Sequence, residues 1–327
     1  MTISADSQAM LLICSQLGLS NDPDTTPFTL REWNPLARKL AESSLGRPGA
    51  LLGLSSFDLR NMLDLSEPDA QRLVRLLSRG GGLAIELGRL EGLGIYPLTR
   101  AEPAYPTRYR ERLKESAPTV LFYAGNHELL GQPGLAVVGS RHLDEAGQAC
   151  AEFVGNACGL SGLVLYSGGA RGVDTISMKA SLENRGFLVG ILADSLEKAI
   201  RIPEYRSALS RGDACFVTAY HPAAGFSVGA AMGRNRLIYT LADHAIVVAS
   251  DAGQGGTWAG ATEALKAHWL PVFVLDHPDM SEGNRQLLVK GANRLPYPLP
   301  VKPAQLKNWL DEHASSKASQ VTQPKLF

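Results

Sequence analysis

LVLYSGGARGVDTISMKASLEN, residues 163–184, decides how this chain folds. It opens on an unbroken apolar run, Leu163–Tyr166, with no polar alternation. That is the pattern of a parallel strand buried on both faces. Glycines and one arginine follow, and then Asp174 begins a segment of helical composition. The stretch therefore reads as strand, glycine loop, helix. The same unit recurs on either side of it. LAVVGS (135–140) precedes DEAGQACAEFVGNAC (144–158), and FLVGIL (187–192) precedes the helical PEYRSALSRG (203–212). ACFVTAY (214–220) leads to GAAMGRNRLIYTLA (229–242), HAIVVAS (244–250) to WAGATEALKAH (258–268), and PVFVL (271–275) closes the series. Strands alternating with helices predict an α/β fold with a doubly wound, mostly parallel sheet.

The flanks have a different character. Residues 1–94 carry no strand alternation and read as a small helical domain. Its clearest helix is LSEPDAQRLVRLLSRGGG (65–82): Ser66 is the expected N-cap, Pro68 suits the first turn, Asp69 completes an S-x-x-D box, and Gly80–Gly82 are expected to end it. Residues 95–300 form the α/β domain, entered through two short strands around Gly94–Leu98 and Val120–Tyr123. Residues 301–327 are expected to be one short helix, PAQLKNWLDEHA, and a flexible tail.

Of the 327 residues, 45% are hydrophobic and 20% charged, with a formal net charge of zero. An anion-binding site must then be local rather than a property of the whole surface. The four cysteines include no C-x-x-C pair, which argues against a zinc ribbon or redox centre and fits a reducing cytoplasm. The N-terminus lacks the basic region of a signal peptide, and no stretch approaches the length of a membrane span. A cytoplasmic protein that does not engage membranes is expected.

In open parallel sheets, ligands sit beyond the carboxyl ends of the strands. Four glycine-bearing elements are expected at that edge: Gly139-Ser140-Arg141, Ser167-Gly168-Gly169-Ala170-Arg171-Gly172, Gly233-Arg234-Asn235-Arg236, and the loop carrying Gly255, Gly256 and Thr257. Glycine lets backbone N–H groups approach a phosphate, and a guanidinium forks onto its oxygens. Asp174 could cap its helix, hold an arginine or act as a base. There is no G-x-x-x-x-G-K-[ST] and no G-x-G-x-x-G in the first loop. The histidines are scattered, so no metal, cofactor or catalytic set is expected. The reading leaves enzymatic activity open and favours binding.

AVVGSR (136–141), SGGARGVD (167–174) and GRNRLI (233–238), in this order within an α/β domain, resemble the DprA/Smf family of DNA-processing proteins. The lead-in YPTRYRERL (105–113) and the later GNRQLLVKGA (283–292) add to the likeness, which runs over most of residues 95–295. The resemblance implies a Rossmann-like domain that binds single-stranded DNA in a basic pocket, forms a homodimer and helps load a RecA-type recombinase. It carries the pocket onto Gly139, Ser140, Arg141, Ser167, Gly168, Gly169, Arg171, Gly172, Arg234, Asn235 and Arg236. Gly255, Gly256 and Thr257 stand where the wider superfamily of nucleotide phosphoribohydrolases has its P-G-G-x-G-T-x-x-E, but Glu263 follows too late. A nucleotide sensor or such a hydrolase is the alternative. AMGRNR replaces the usual F-P-x-R-N-R, and the short stretch 301–327 is not expected to form the winged-helix module typical of the family. Finally, Gln323, Leu326 and Phe327 resemble the pentapeptide that docks on the replication sliding clamp.

Overall fold

The structure, a computed structural model, describes residues 3–19 and 25–314. Two compact units emerge: residues up to Tyr105 together with Lys114–Tyr123, and Pro106–Leu113 together with the chain from Ala124.

The first unit holds helices α1 (Ala5–Cys14), α2 (Leu30–Glu42), α3 (Ser56–Leu63), α4 (Glu67–Leu77) and α5 (Gly80–Gly92), and strands β1 (Ile95–Thr99) and β2 (Val120–Gly125). Met10, Ile13, Trp33, Leu36, Leu40, Leu51, Leu59, Leu63 and Leu73 close one core. Ser66 caps α4 as expected, its hydroxyl accepting the Asp69 N–H. The glycines after it do not stop a helix but start one. Gly82 lies against the backbone of Gly18, which has φ +64°, and a Cβ on Gly18 would fall 2.4 Å from the Gly82 carbonyl carbon. That close approach explains Gly82, whereas a Cβ on Gly80 or Gly81 would meet nothing within 4 Å.

At the start of α2, Thr29 and Glu32 form a reciprocal capping box, and Arg72 Nη1 donates to Glu32 Oε1 at 2.7 Å. The Arg72 hydrogen bond is the main reason the Glu32 carboxyl is held down at about 2, against an ordinary value of 4.5. A depressed carboxyl stabilises the fold above its unfolded value and ceases to do so as pH falls through its folded value. The thermal midpoint of this unit should therefore drop as pH falls from 4.5 towards about 2. Glu32→Gln should flatten that part of the profile, and an unchanged profile in the variant would place the acid sensitivity elsewhere.

The second unit holds α6 (Thr107–Leu113), β3 (Gly134–Val138), α7 (Glu145–Ser161), β4 (Val164–Ser167), α8 (Val173–Glu183), β5 (Phe187–Leu192), α9 (Leu196–Ala199), α10 (Pro203–Arg211), β6 (Ala214–Thr218), α11 (Val228–Leu241), β7 (His244–Val247), α12 (Gly255–Ala267), β8 (Val272–Asp276), α13 (Glu282–Val289), β9 (Asn293–Pro296) and α14 (Leu306–His313). Its seven strands lie in the order β6-β5-β4-β3-β7-β8-β9, and every pairing among them is parallel. The chain winds outward from β3 to β6, then returns to β7 on the other side of β3. Right-handed crossovers put α7, α8 and α10 on one face and α11 and α12 on the other. β3, β4, β6 and β7 are buried along their whole length. The doubly wound α/β expectation is met. β9, with the sequence NRLP and one buried residue, was not anticipated.

Cys150, Cys158 and Cys215 are fully buried, and burial pushes their thiols up, to about 12 for the first two. They are core residues. No cluster of potential metal ligands occurs among the described residues, and no helix there is long and apolar enough to cross a membrane.

Candidate anion site at the switch point

The direction of winding reverses between β3 and β7, so the loops that leave these strands diverge and open a crevice. Gly139 and Ser140 enter it from β3. The Ser140 N–H donates to the Ala249 carbonyl at 2.9 Å, and a Cβ on Gly139 would fall 2.3 Å from Val173 Cγ2. The four predicted elements then close on one another. Gly172, with φ +87°, leaves no room for a Cβ beneath the Ser140 carbonyl and the Arg141 Cα, at 2.5 and 2.7 Å. Gly168 lies under the guanidinium of Arg234, where a Cβ would stand 1.5 Å from Nη1. Gly256 lies against Asn235, 2.3 Å from a built Cβ to Nδ2. The Thr257 hydroxyl donates to the Gly139 carbonyl at 3.3 Å. The first element thus meets the second, the second the third, the third the fourth, and the fourth the first.

Most of these glycines therefore serve packing within the ring. Asp174, in the first turn of α8, folds back and accepts the Gly168 and Ala170 N–H groups at 3.1 and 3.3 Å. Burial pushes its carboxyl above the usual range, opposed first by the Arg234 charge and then by those two N–H groups. It is a loop brace and is not placed as an exposed base. Arg234 is itself buried, with Nη1 donating to the Ile191 carbonyl at 2.6 Å, and it charges the interior beside Asp174. Ser167 is also fully buried, its hydroxyl donating to the Val137 carbonyl at 2.7 Å and tying β4 to β3.

The predicted arginines separate by environment. Arg141 and Arg171 are exposed and make no hydrogen bond or ion pair among the described residues. Arg236 stands two residues from Arg234, about 200° around the helix, and so faces elsewhere. It pairs with Glu263 at 3.1 Å and lies 5.8 Å over the Trp269 ring. Ser140, Gly139, Gly169, Gly172 and Asn235 are half-buried at the rim. Gly255, Gly256 and Thr257 form the first turn of α12 rather than a loop. Gln323, Leu326 and Phe327 lie outside the described residues.

Sequence reasoning missed what anchors α11. Arg112 Nη1 donates to the carbonyls of Thr240 and Ala242 at 3.1 and 2.7 Å, Arg108 pairs with Asp243 at 2.5 Å, and the Tyr109 hydroxyl donates to the Leu237 carbonyl at 3.1 Å. The arginines of TRYRERL thus satisfy the carbonyl end of α11 and interact favourably with its dipole. Burial lowers Arg112 to about 10. Alternating arginines at a helix spacing were the available signal, but their target lies more than a hundred residues away.

Comparison with known proteins places these features in context. The family model described as DNA recombination-mediator protein A matches residues 97–298. DNA processing protein DprA of Streptococcus pneumoniae is 30% identical over 184 residues, 54% of this chain and 63% of that protein. Protein Smf of a Synechocystis strain is 27% identical over 193 residues, 57% of this chain and 48% of that one. The matches thus span between about half and 63% of the length of these two relatives. The solved structure of the pneumococcal DprA superimposes with a TM-score of 0.63 at 22% identity, covering 93% of this chain and 97% of that one. That of DNA processing protein A from Helicobacter pylori, for which a single-stranded DNA binding mode is described, gives 0.55 at 24% identity, covering 68% and 97%. Both structures share the fold.

Proposed function

The chain belongs to the DNA recombination-mediator protein A family, and on that premise we propose that it is a cytoplasmic single-stranded DNA-binding protein of DNA processing. It would hold the phosphate backbone at the carboxyl edge of the parallel sheet. One observation carries the reading: Arg141 and Arg171 stand exposed and without a partner among the described residues, beside a closely packed ring of four glycine-bearing elements at the switch point. Guanidinium groups so placed keep all their donors for phosphate oxygens. Gly139, Ser140, Gly169, Gly172 and Asn235 would line the contact, while Ser167, Gly168 and Arg234 would support it from behind; Arg236, turned to Glu263, would not take part. Single strands are favoured over duplex because the exposed arginines of the site, Arg141 and Arg171, sit on loops and not along a helix that could lie in a major groove.

Hydrolysis of a nucleotide has less support. Glu263 is engaged by Arg236, and six residues along α12 leave it about 120° around the helix from Thr257. Four further proposals concern partners. The protein would act as a homodimer. It would pass its DNA to a RecA-type recombinase. Gln323, Leu326 and Phe327 would dock on the sliding clamp, and no membrane would be involved.

The test is a titration of labelled oligonucleotides at several salt concentrations. Single strands should bind more tightly than duplex of the same length, and log affinity should fall linearly with log salt, by about 0.7 per phosphate neutralised. AMP in the same buffer should release no free base. Equal binding of both DNA forms, or base release that Glu263→Gln abolishes, would overturn the reading.

A further inference from the structure

The interior strand β7 begins with a histidine. Among the side chains of β3 to β7, His244 alone can gain a charge near neutral pH. It is buried, and it faces α14. That helix lies against α7, with Leu306 and Leu310 buried beneath it. Its Trp309 packs on Phe273 of β8 with ring centroids 5.9 Å apart, and Phe273 in turn lies 6.1 Å from the His244 ring. His244 Nε2 stands 3.3 Å from Asp311 Oδ1, while Lys307 Nζ donates to Asp311 Oδ2 at 2.5 Å. The other ring nitrogen, Nδ1, is buried without a hydrogen-bond partner among the described residues. A neutral imidazole suits this place: Nε2–H donates to Asp311, and Nδ1 carries only a lone pair. An imidazolium would bring a second N–H to a point with no acceptor, and a buried donor left unpaired is costly.

We infer that His244 and α14 form a pH-sensitive latch: α14 lies closed on the sheet while the ring is neutral, and opens when the ring takes up a second proton. The charged groups facing the ring come from two sides. Asp311 and Lys307 belong to α14. Asp243 precedes His244 in the chain and is paired with Arg108 of α6. Burial opposes the proton and holds His244 below its ordinary value of 6.5, against the pull of Asp311 and Asp243, while Lys307 adds to the lowering. Asp311 does not win because its side chain is 44% exposed, so water screens its attraction, and it already serves Lys307. Once α14 leaves, the ring meets water and regains its ordinary value. Opening therefore takes up a proton. The closed state is fully favoured above pH 6.5 and weakens as pH falls below it towards the lowered value. His313 acts in the opposite direction. It stacks on Trp309 in the last turn of α14, where a positive charge favours the helix dipole and would tighten the helix. Two buried leucines and one ring contact are a modest anchor, and local opening draws on elements of that kind.

Hydrogen exchange read by mass spectrometry on the full chain tests the latch, with rates corrected for the intrinsic effect of pH on exchange. Between about pH 7.5 and about pH 5.5, protection of the peptide covering residues 306–313 should fall by about five- to tenfold, the most that uptake of one proton allows over that range. Peptides from β4 should keep their protection, because the carboxylates remain charged at both values. His244→Phe fills the same space beside Phe273 and cannot take a proton, so it should abolish the pH dependence of residues 306–313. Asp311→Asn removes a charge that draws the proton to the closed state. It should leave a fall at least as large as in the wild type, and it tests the latch even if His244→Phe does not fold. Protection of residues 306–313 that stays constant or rises in acid would overturn the latch, and a rise lost in Asp311→Asn would mean that an ion pair closes α14 instead. A fall that persists in His244→Phe, or one shared equally by the β4 peptides, would also overturn it.

Discussion

Gly168→Ala should cost the α/β unit about 2–4 kcal/mol, which for a unit of this size lowers the thermal midpoint by roughly 5–15 °C. The new Cβ would stand 1.5 Å from Arg234 Nη1 and 2.2 Å from Cζ. A guanidinium ends a flexible side chain, so the backbone of β4 need not move. The charge must move instead. It would lose the Ile191 carbonyl and its place beside Asp174, both in the interior. A buried carboxylate left without its opposing charge is the expensive part. DNA binding should fall with stability, because Gly168 and Ala170 N–H groups hold Asp174 and position the loop that carries Arg171. Gly88→Ala, in α5 with nothing within 4 Å of the built Cβ, should be neutral or slightly stabilising. A thermodynamic cycle with Arg234→Met sharpens the test. Once the guanidinium is gone the alanine has space, so the two substitutions together should cost less than their sum. Strict additivity would mean that Arg234 is not what Gly168 accommodates.

The sheet was legible because its central strands are continuous apolar runs. Leu163–Tyr166 and His244–Val248 can be buried on both faces only in a parallel sheet between helices. β9 was not legible: Asn293-Arg294-Leu295-Pro296 carries one apolar side chain into the core and is a strand only because Phe273–Asp276 pairs with it. Gly80–Gly82 misled for a related reason. Gly82 lies against Gly18, which is distant in the sequence, and no local propensity reports that contact. At the candidate site the four elements were identifiable, but their roles were not. Arg141, Arg171, Arg234 and Arg236 look alike in the sequence. What separates them is the phase of α11, which turns Arg234 inward over Gly168 and Arg236 towards Glu263. Side-chain burial of this kind follows from the tertiary arrangement of two helices and a loop, not from neighbouring residues.

That separation predicts opposite signatures for arginines the sequence treats as equivalent. Arg141→Ala combined with Arg171→Ala should leave the thermal midpoint unchanged, because neither side chain has a partner to lose among the described residues. The same variant should weaken single-stranded DNA binding by about ten- to a hundredfold, since a hydrogen bond to a charged group contributes about 1.5–3 kcal/mol and exposure to water reduces it. Two lost phosphate contacts should also reduce the salt slope by about 1.4. Arg234→Ala should behave the other way. It strips the compensating charge from buried Asp174 and removes the hydrogen bond to the Ile191 carbonyl, so the midpoint falls first and binding follows it. Arg234→Ala with Asp174→Asn should recover part of the stability, because a neutral amide does not need the opposing charge. Measuring the slope, and not affinity alone, keeps the two roles apart: an unfolded fraction lowers apparent affinity at every salt concentration, whereas a missing phosphate contact changes the slope. If the Arg141 and Arg171 double variant retains the wild-type slope, the phosphates lie elsewhere on the sheet edge. The exposed pair then has no part in holding DNA.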